Sequence, residues 1–393
     1  MPNPKEAWRV LVFPNYSATA LAADLSQRWT RATISSGQHG GFKEARLSIP
    51  MSLPEAWTWL NREGAVGRHF YHITITESGR TVWEWRIHDV ELQADESFQG
   101  IHLTAAGYWA AMRDRTYSAS DSGNTDWAAG GPHNVGKIIR ELITKSAPDI
   151  NGTADVTLNE RDIAGIVLTA RGYPQDIILD RLAPLSDSGT GVWYYAVWED
   201  RKPSWTARSL TQVDWYVWAA DLGRLSISQQ GKHLRNRILP VVGTAEGTWA
   251  SDGEGTANWP IRELSIALPA GLPTTAANDA RDMALASRRR PKQDQAFTIT
   301  GNVYSPRILG TAAAGTLIGP SQPKWWVRAG DVIRVQDLVP ASAATGTFDD
   351  LRTFFIIESV YDAGADILSI QPDRPQGRID VLLPRIQQLE RDR

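Results

Sequence analysis

Along the first hundred residues apolar and polar positions alternate in short runs separated by Gly, Pro or polar turns, the period-2 signature of β-strands. The runs are Trp8–Phe13, Thr30–Ser36, Lys43–Ile49, Tyr71–Thr76, Thr81–His88 and Gly100–Thr104. His72–Thr76 and Thr81–Arg86 are joined through Glu77-Ser78-Gly79-Arg80, where Ser-Gly supplies hairpin turn geometry. Leu53–Leu60 follows Ser52 and carries Pro54 in its first turn, which predicts a short helix. The sum is a small barrel or sandwich.

From Asn134 to about Leu185 the period lengthens. Val135, Ile138, Ile139, Leu142 and Ile143 fall on one helical stripe between Pro132 and Pro148, and Ile178, Leu179 and Leu182 do the same within Gln175–Leu182. Strand character returns in Val192–Trp198 and Asp214–Trp218. A helix over 276–290 follows Thr274-Thr275, with Ala280, Met283, Ala284 and Ser287 on one face. It ends in Arg288-Arg289-Arg290, cations that complement the helix dipole, and Pro291 stops it. Strands follow at Ala296–Val303, Trp325–Val327, Asp331–Gln336, Thr353–Tyr361 and Ile367–Gln371. The pattern predicts a mainly β chain with inserted α/β material: a β domain over 1–118, a mixed insert over 119–240, and a second β domain over 241–393 that includes the 276–290 helix. Clusters of Ala, Gly, Ser and Thr at 118–131, 244–257 and 309–319 read as loops.

Composition narrows the chemistry. With 393 residues the chain has length for two or three cores. The absence of cysteine excludes disulfides, thiolate metal sites and cysteine nucleophiles. A net charge of −3 argues against a dedicated nucleic-acid binder. Tryptophan, at 17, outnumbers both tyrosine at 10 and phenylalanine at 8, and arginine supplies 33 of the 41 basic residues. No apolar run approaches the roughly 18 residues needed to span a bilayer, and the N-terminus lacks a secretory pattern, so a soluble, unprocessed chain is expected.

Candidate catalytic motifs dissolve on inspection. Gly131-Pro132-His133-Asn134-Val135-Gly136-Lys137 imitates a phosphate-binding loop, but Ile138 stands where a magnesium-binding Ser or Thr is required. The seven histidines form no His-Glu-x-x-His or His-x-His spacing, so zinc would need long-range assembly. No Gly-x-Ser-x-Gly elbow occurs. Glu84 lies between Trp83 and Trp85, where alternation puts it opposite both rings on a half-buried strand. No catalytic residue, cofactor or metal ligand is expected. A second reading remains: a carbohydrate-binding or carbohydrate-cleaving protein using exposed tryptophans as stacking platforms beside a carboxylate pair.

Several segments carry a likeness when taken in order. They are Gly40-Gly41-Phe42 leading into Lys43–Ile49, then Val82–Ile87, then Thr104-Ala105-Ala106-Gly107-Tyr108-Trp109, then the Val-Trp-Glu-Asp-Arg core of Trp193–Arg201. Later come the alanine-rich helix with Pro291, the strand at 296–303, Trp325–Val335 with its Trp326, Arg328, Gly330 and Asp331, and Arg352–Ile356. Together these resemble the baseplate-hub or tail-tip proteins, often called minor tail proteins, of long-tailed bacteriophages. The resemblance implies two tube-type β-barrels flanking the insert, and a homotrimeric ring of six barrels in the virion. That ring would join the tail tube and distal tail proteins to the tip or fibre proteins. The tape-measure protein and DNA would pass through its channel, and assembly would occur in the host bacterial cytoplasm. The implied role is structural. Closed rings need repeated heterologous interfaces, and a Trp-rich, Arg-over-Lys chain suits them.

Overall fold

The computed structural model describes residues 3–15, 18–38, 40–60, 68, 71–108, 110, 193–199, 203–207, 213–225, 228–230, 234–253, 257, 260–268, 270–271, 274–288, 292–294, 296–305, 321–338 and 353–372, with short strands at 133–134, 157–158 and 167–168. The chain forms two compact units, Met1–Arg224 with Phe297–Pro372, and Leu225–Ala296 with Asp373–Arg393. The architecture is mainly β.

The larger unit is built on strands β1 (Trp8–Phe13), β2 (Arg31–Gly37), β3 (Gly40–Pro50), β4 (His72–Glu77), β5 (Arg80–Ala94), β6 (Gln99–Ala106), β7 (Trp193–Val197), β8 (Trp215–Trp218), β9 (Phe297–Ile299), β10 (Val332–Gln336), β11 (Thr353–Asp362) and β12 (Ile367–Pro372). They hydrogen-bond in the order β9-β12-β11-β2-β3-β6-β5-β4-β1, with β10 branching from β11 and β7 from β3. Alternation sets the register. Val10 lies opposite Ile75 and Val12 opposite Ile73, while Leu47 meets Leu103 and Ile49 meets Ile101. All eight are buried on one face, and each such apolar side chain withdrawn from water contributes about 1.5–3 kcal/mol. The β4–β5 turn is the expected one. Ser78 and Gly79 both take positive φ, 50° and 81°, the mirror-image turn that follows the right-handed strand twist.

The sequence-derived boundaries at 118/119 and 240/241 do not coincide with these units. Glu358 to Asp362 of β11 pair with Gly37 to Thr33 of β2, so strands of the expected first and last β domains share one sheet. Trp325–Val327, read as a strand, is corrected to a 3-10 turn at Lys324–Trp326. Three consecutive side chains there are buried, which strand alternation on a half-covered sheet cannot provide. The half-buried reading of Thr81–His88 is also corrected, because Val82, Trp83, Glu84 and Trp85 are all buried. The short helix ends earlier than expected, spanning Leu53–Trp57, with the Ser52 hydroxyl accepting from the Glu55 N–H.

In the smaller unit the strand Arg237–Val242 runs parallel to Glu263–Leu268. The helix Thr274–Arg288 places Ala277 and Ala280 against Leu268, Val242 and Ile266. Ala280 and Ala284 are buried as the periodicity predicts, and Thr274-Thr275 lie inside the helix rather than before it. Buried Asn236 joins the parallel strands, donating to Pro260 O at 3.1 Å and accepting from the Arg262 N–H at 2.7 Å. The predicted helices over 134–143 and 175–182 lie outside the described residues except at Asn134, which is in a strand pair with Val167.

Candidate functional site

A glycine corner opens β3. Gly40 and Gly41 adopt φ of 107° and 81°, and they pair in parallel with Ala196 and Val197 of β7. Phe42 then turns inward, edge-on to Trp198 at 5.2 Å and tilted against Trp83 at 6.1 Å. Gly107 donates its N–H to Lys43 O, and a Cβ there would stand 1.7 Å from Phe42 O, so no other residue fits without moving backbone. Tyr108 follows into the core, its hydroxyl donating to Glu84 and its ring 4.4 Å from Trp85. Trp109 lies outside the described residues.

The turn after the Lys324–Trp326 segment completes the arrangement. Arg328 donates from Nη1 to Glu199 Oε1 at 2.6 Å and from Nη2 to Thr81 O at 2.8 Å. Its guanidinium sits 5.0 Å from the Phe42 ring centroid and 5.2 Å from that of Trp198, the geometry of a cation on aromatic faces. Trp326 receives the Arg80 guanidinium at 4.0 Å. The next amide, of Ala329, donates to buried Ser36 Oγ at 2.8 Å, and Ser36 meets Ser359 at 2.7 Å. Gly330, at φ 95°, donates to Ile356 O at 2.7 Å. Asp331 Oδ2 accepts from the Arg328 N–H at 2.9 Å and from the Trp215 indole at 2.7 Å. Burial pushes the Asp331 carboxyl up to about 6, against the lowering effect of those donors, with Asp214 raising it further and Arg328 opposing.

Nine of the ten residues singled out from sequence are therefore placed: Gly40, Gly41, Phe42, Gly107, Trp326, Arg328, Gly330 and Asp331 gather around one junction. Tyr108 anchors beside it on Glu84. The junction joins pieces of chain distant in sequence: β2–β6, Trp198-Glu199 with Trp215, and the turn Trp326–Asp331 that leads into β10. It can hold, but it has little room to bind. The void among Ser36, Phe42, Trp83, Trp325 and Arg328 measures about 10 Å³, enough for one water at most. Among the described residues no group of three or more His, Asp or Glu could hold a metal ion.

A second polar node lies four residues before Arg328, at Lys324. Lys324 is only 1% exposed, yet its Nζ donates to Thr300 O at 2.8 Å and Asp366 O at 2.6 Å and pairs with Asp366 Oδ2 at 3.0 Å. Asp366 also accepts from the Tyr361 hydroxyl at 2.8 Å, and burial holds that phenol well above its ordinary range. Tyr361 also joins Trp8, Trp29 and Trp325 in one aromatic cluster, with ring centroids 5.5–5.9 Å apart along it. Sequence reading missed this node and the Glu84–Tyr108 bond. A lone lysine before two tryptophans was the available signal. Of the described tryptophans, Trp8, Trp29, Trp59, Trp83, Trp85, Trp325 and Trp326 are buried, and Trp57 stands out as exposed at 47%. That distribution favours core packing over a stacking platform for sugars.

No protein-family model matches the sequence, and no curated protein does. Among solved structures the fold is similar to the 43 kDa tail protein of prophage MuSo2 from Shewanella oneidensis, with a TM-score of 0.55 and 12% identity over 95% of this chain and 99% of that one. It is similar to the tail protein from Neisseria meningitidis MC58, with a TM-score of 0.54 and 11% identity over 93% and 95%. It is also similar to prophage tail protein gp18 from Listeria monocytogenes EGD-e, with a TM-score of 0.51 and 10% identity over 97% and 99%. At such identities these likenesses establish a common fold.

Proposed function

We propose that this chain is a structural component of a phage-type tail: a baseplate-hub or tail-tip subunit in which three copies close a ring around a channel. The observation that carries this reading is the fold shared with three tail proteins, two of them of prophages, over at least 93% of this chain. The junction around Arg328 supports it, since it ties the two β regions together with side chains that hold rather than process a ligand. In this reading the two β regions are the paired tube-type barrels, the ring joins tail tube and distal tail proteins to tip or fibre proteins, and tape-measure protein and DNA pass through the centre.

Sedimentation velocity with negative-stain imaging tests it. The expected species has three times the 43.4 kDa mass of the chain and appears as a ring with six similar lobes. A ring of another stoichiometry overturns the trimer. Absence of the chain from purified tails by mass spectrometry, with no ring at any concentration, overturns the tail role.

A further inference from the structure

Lys324 and Asp366 meet where three strands end. Thr300 follows β9, Tyr361 lies on β11 and Asp366 leads into β12, with Ile299 and Tyr361 both opposite Leu368 across the sheet. The Lys324 side chain is 1% exposed, and its Nζ is fixed by Thr300 O at 2.8 Å and Asp366 O at 2.6 Å. So held, it stands 3.0 Å from Asp366 Oδ2. The other carboxyl oxygen, Oδ1, accepts from the Tyr361 hydroxyl at 2.8 Å. Tyr361 itself packs against Trp8 and Trp325, while the pair also borders an open polar cavity of about 430 Å³ lined by Asn3, Thr300, Asn302 and Gly364. An amine, a carboxyl, a hydroxyl donor on one carboxyl oxygen and an exit for a small leaving group thus occupy one place. Fixing two reacting groups in contact is worth an effective concentration of roughly 10⁵–10⁸ M when the geometry is productive.

We propose that Lys324 and Asp366 condense in the folded chain to an amide, a side-chain cross-link in a protein that has no cysteine. The ammonium first passes one proton to Oδ2, a transfer that enclosure of the lysine assists because it removes both charges of the pair. The freed lone pair of Nζ then attacks Cγ, and Oδ1 takes the developing negative charge against the Tyr361 O–H. As the intermediate collapses, a second nitrogen proton goes to Oδ2, the Cγ–Oδ2 bond breaks and one water leaves into the cavity. Nothing is oxidised or reduced, and no co-reactant is needed. The amide N–H that remains serves one of the two carbonyls that now accept from Nζ. Because the ion pair must first give up its charges, condensation follows folding slowly, and the newly folded chain carries the pair unlinked. The bond closes residues 324–366 into one covalent loop and ties the turn before Arg328 to the start of β12. This inference stands apart from the tail role and concerns chemistry within one chain.

Intact-mass spectrometry of the folded full chain, followed from purification through several days of incubation, tests it. The wild type is expected to become lighter by one water, and its digest to contain a branched peptide joining Lys324 to Asp366. Lys324→Met and Asp366→Ala are expected to hold their sequence masses throughout. Tyr361→Phe is expected to convert about a hundredfold more slowly, the usual loss for one donor to a developing oxyanion. A wild-type chain that keeps its full sequence mass overturns the cross-link. A lost water that maps within a single linear peptide, as an aspartyl imide would, overturns it as well. Should a variant fail to fold, the wild-type mass and the branched peptide still decide.

Discussion

Lys324 and Arg328 stand four residues apart on one segment and meet burial in opposite ways. The ammonium of Lys324 is almost fully enclosed, and its three donors face two carbonyls and the Asp366 carboxylate. The guanidinium of Arg328 is spread across a carboxylate, a carbonyl and aromatic faces, and its buried Nε has no hydrogen-bond partner among the described residues. A compact charge can be satisfied in one corner of the core, whereas a planar five-donor cation reaches several chain segments but leaves something unmet. The first arrangement fixes a single place. The second ties distant pieces together and leaves them responsive to charge.

The sharpest way to break the contrast is to remove the floor under Arg328. Gly107→Ala drives a methyl into Phe42 O and shifts the ring on which the guanidinium stacks, so a loss of about 4 kcal/mol or failure to fold is expected by denaturant titration. A variant within about 1 kcal/mol of wild type would show that the corner is loose. Asp366→Ala leaves the enclosed Lys324 ammonium with two carbonyls and the Tyr361 hydroxyl without its acceptor; because that carboxylate is itself 48% exposed, the expected cost is about 2 kcal/mol in the same titration. Arg328→Met keeps the stem but gives up two charge-assisted hydrogen bonds, for about 2 kcal/mol.

Asp331→Asn is expected to go the other way. The folded carboxyl titrates near 6 against 3.8 unfolded, so its stabilising contribution is fully present below about pH 4 and lost as pH rises through 6. Replacing it with a neutral amide should raise stability by about 1–2 kcal/mol at pH 7 and by nothing near pH 4. Equal effects at both pH values would assign the change to packing instead. The surface pair Arg28–Glu55 is the control: it is bidentate at 2.9 and 3.0 Å but about 40% exposed on each side. Glu55→Gln should cost about 0.5 kcal/mol at neutral pH, less in salt. A cost as large as at Asp366 would erase the distinction between a pair with one enclosed partner and a pair exposed on both sides.

Alternation made most of the fold legible. Trp8–Phe13 is a strand with the expected ends, and the Ser78-Gly79 hairpin has the turn its residues demand. What alternation cannot carry is pairing across hundreds of residues, which is why β2 and β11 were assigned to separate domains although Ser36 and Ser359 touch. It also assumes one wet face, so it missed the full burial of Val82–Trp85 and took Trp325–Val327 for a strand, where every consecutive side chain is covered. The junction was visible as separate short motifs, Gly40-Gly41-Phe42, Gly107-Tyr108 and Trp326–Asp331. Nothing in their spacing announced that Arg328 would lie on Phe42 or reach Glu199.

The shared sheet also has a timetable. Ser36 lies 323 residues before the serine whose hydroxyl it meets, and the β2 edge that β11 covers is made early in translation. At about 5–20 residues per second, that edge waits roughly 15 to 65 s on the ribosome for its partner strand. During this interval the nascent chain exposes unpaired strand backbone of the kind that invites association with other chains. Only the last strands close that edge, so completion of the fold itself ends the interval in which the chain can pair through it.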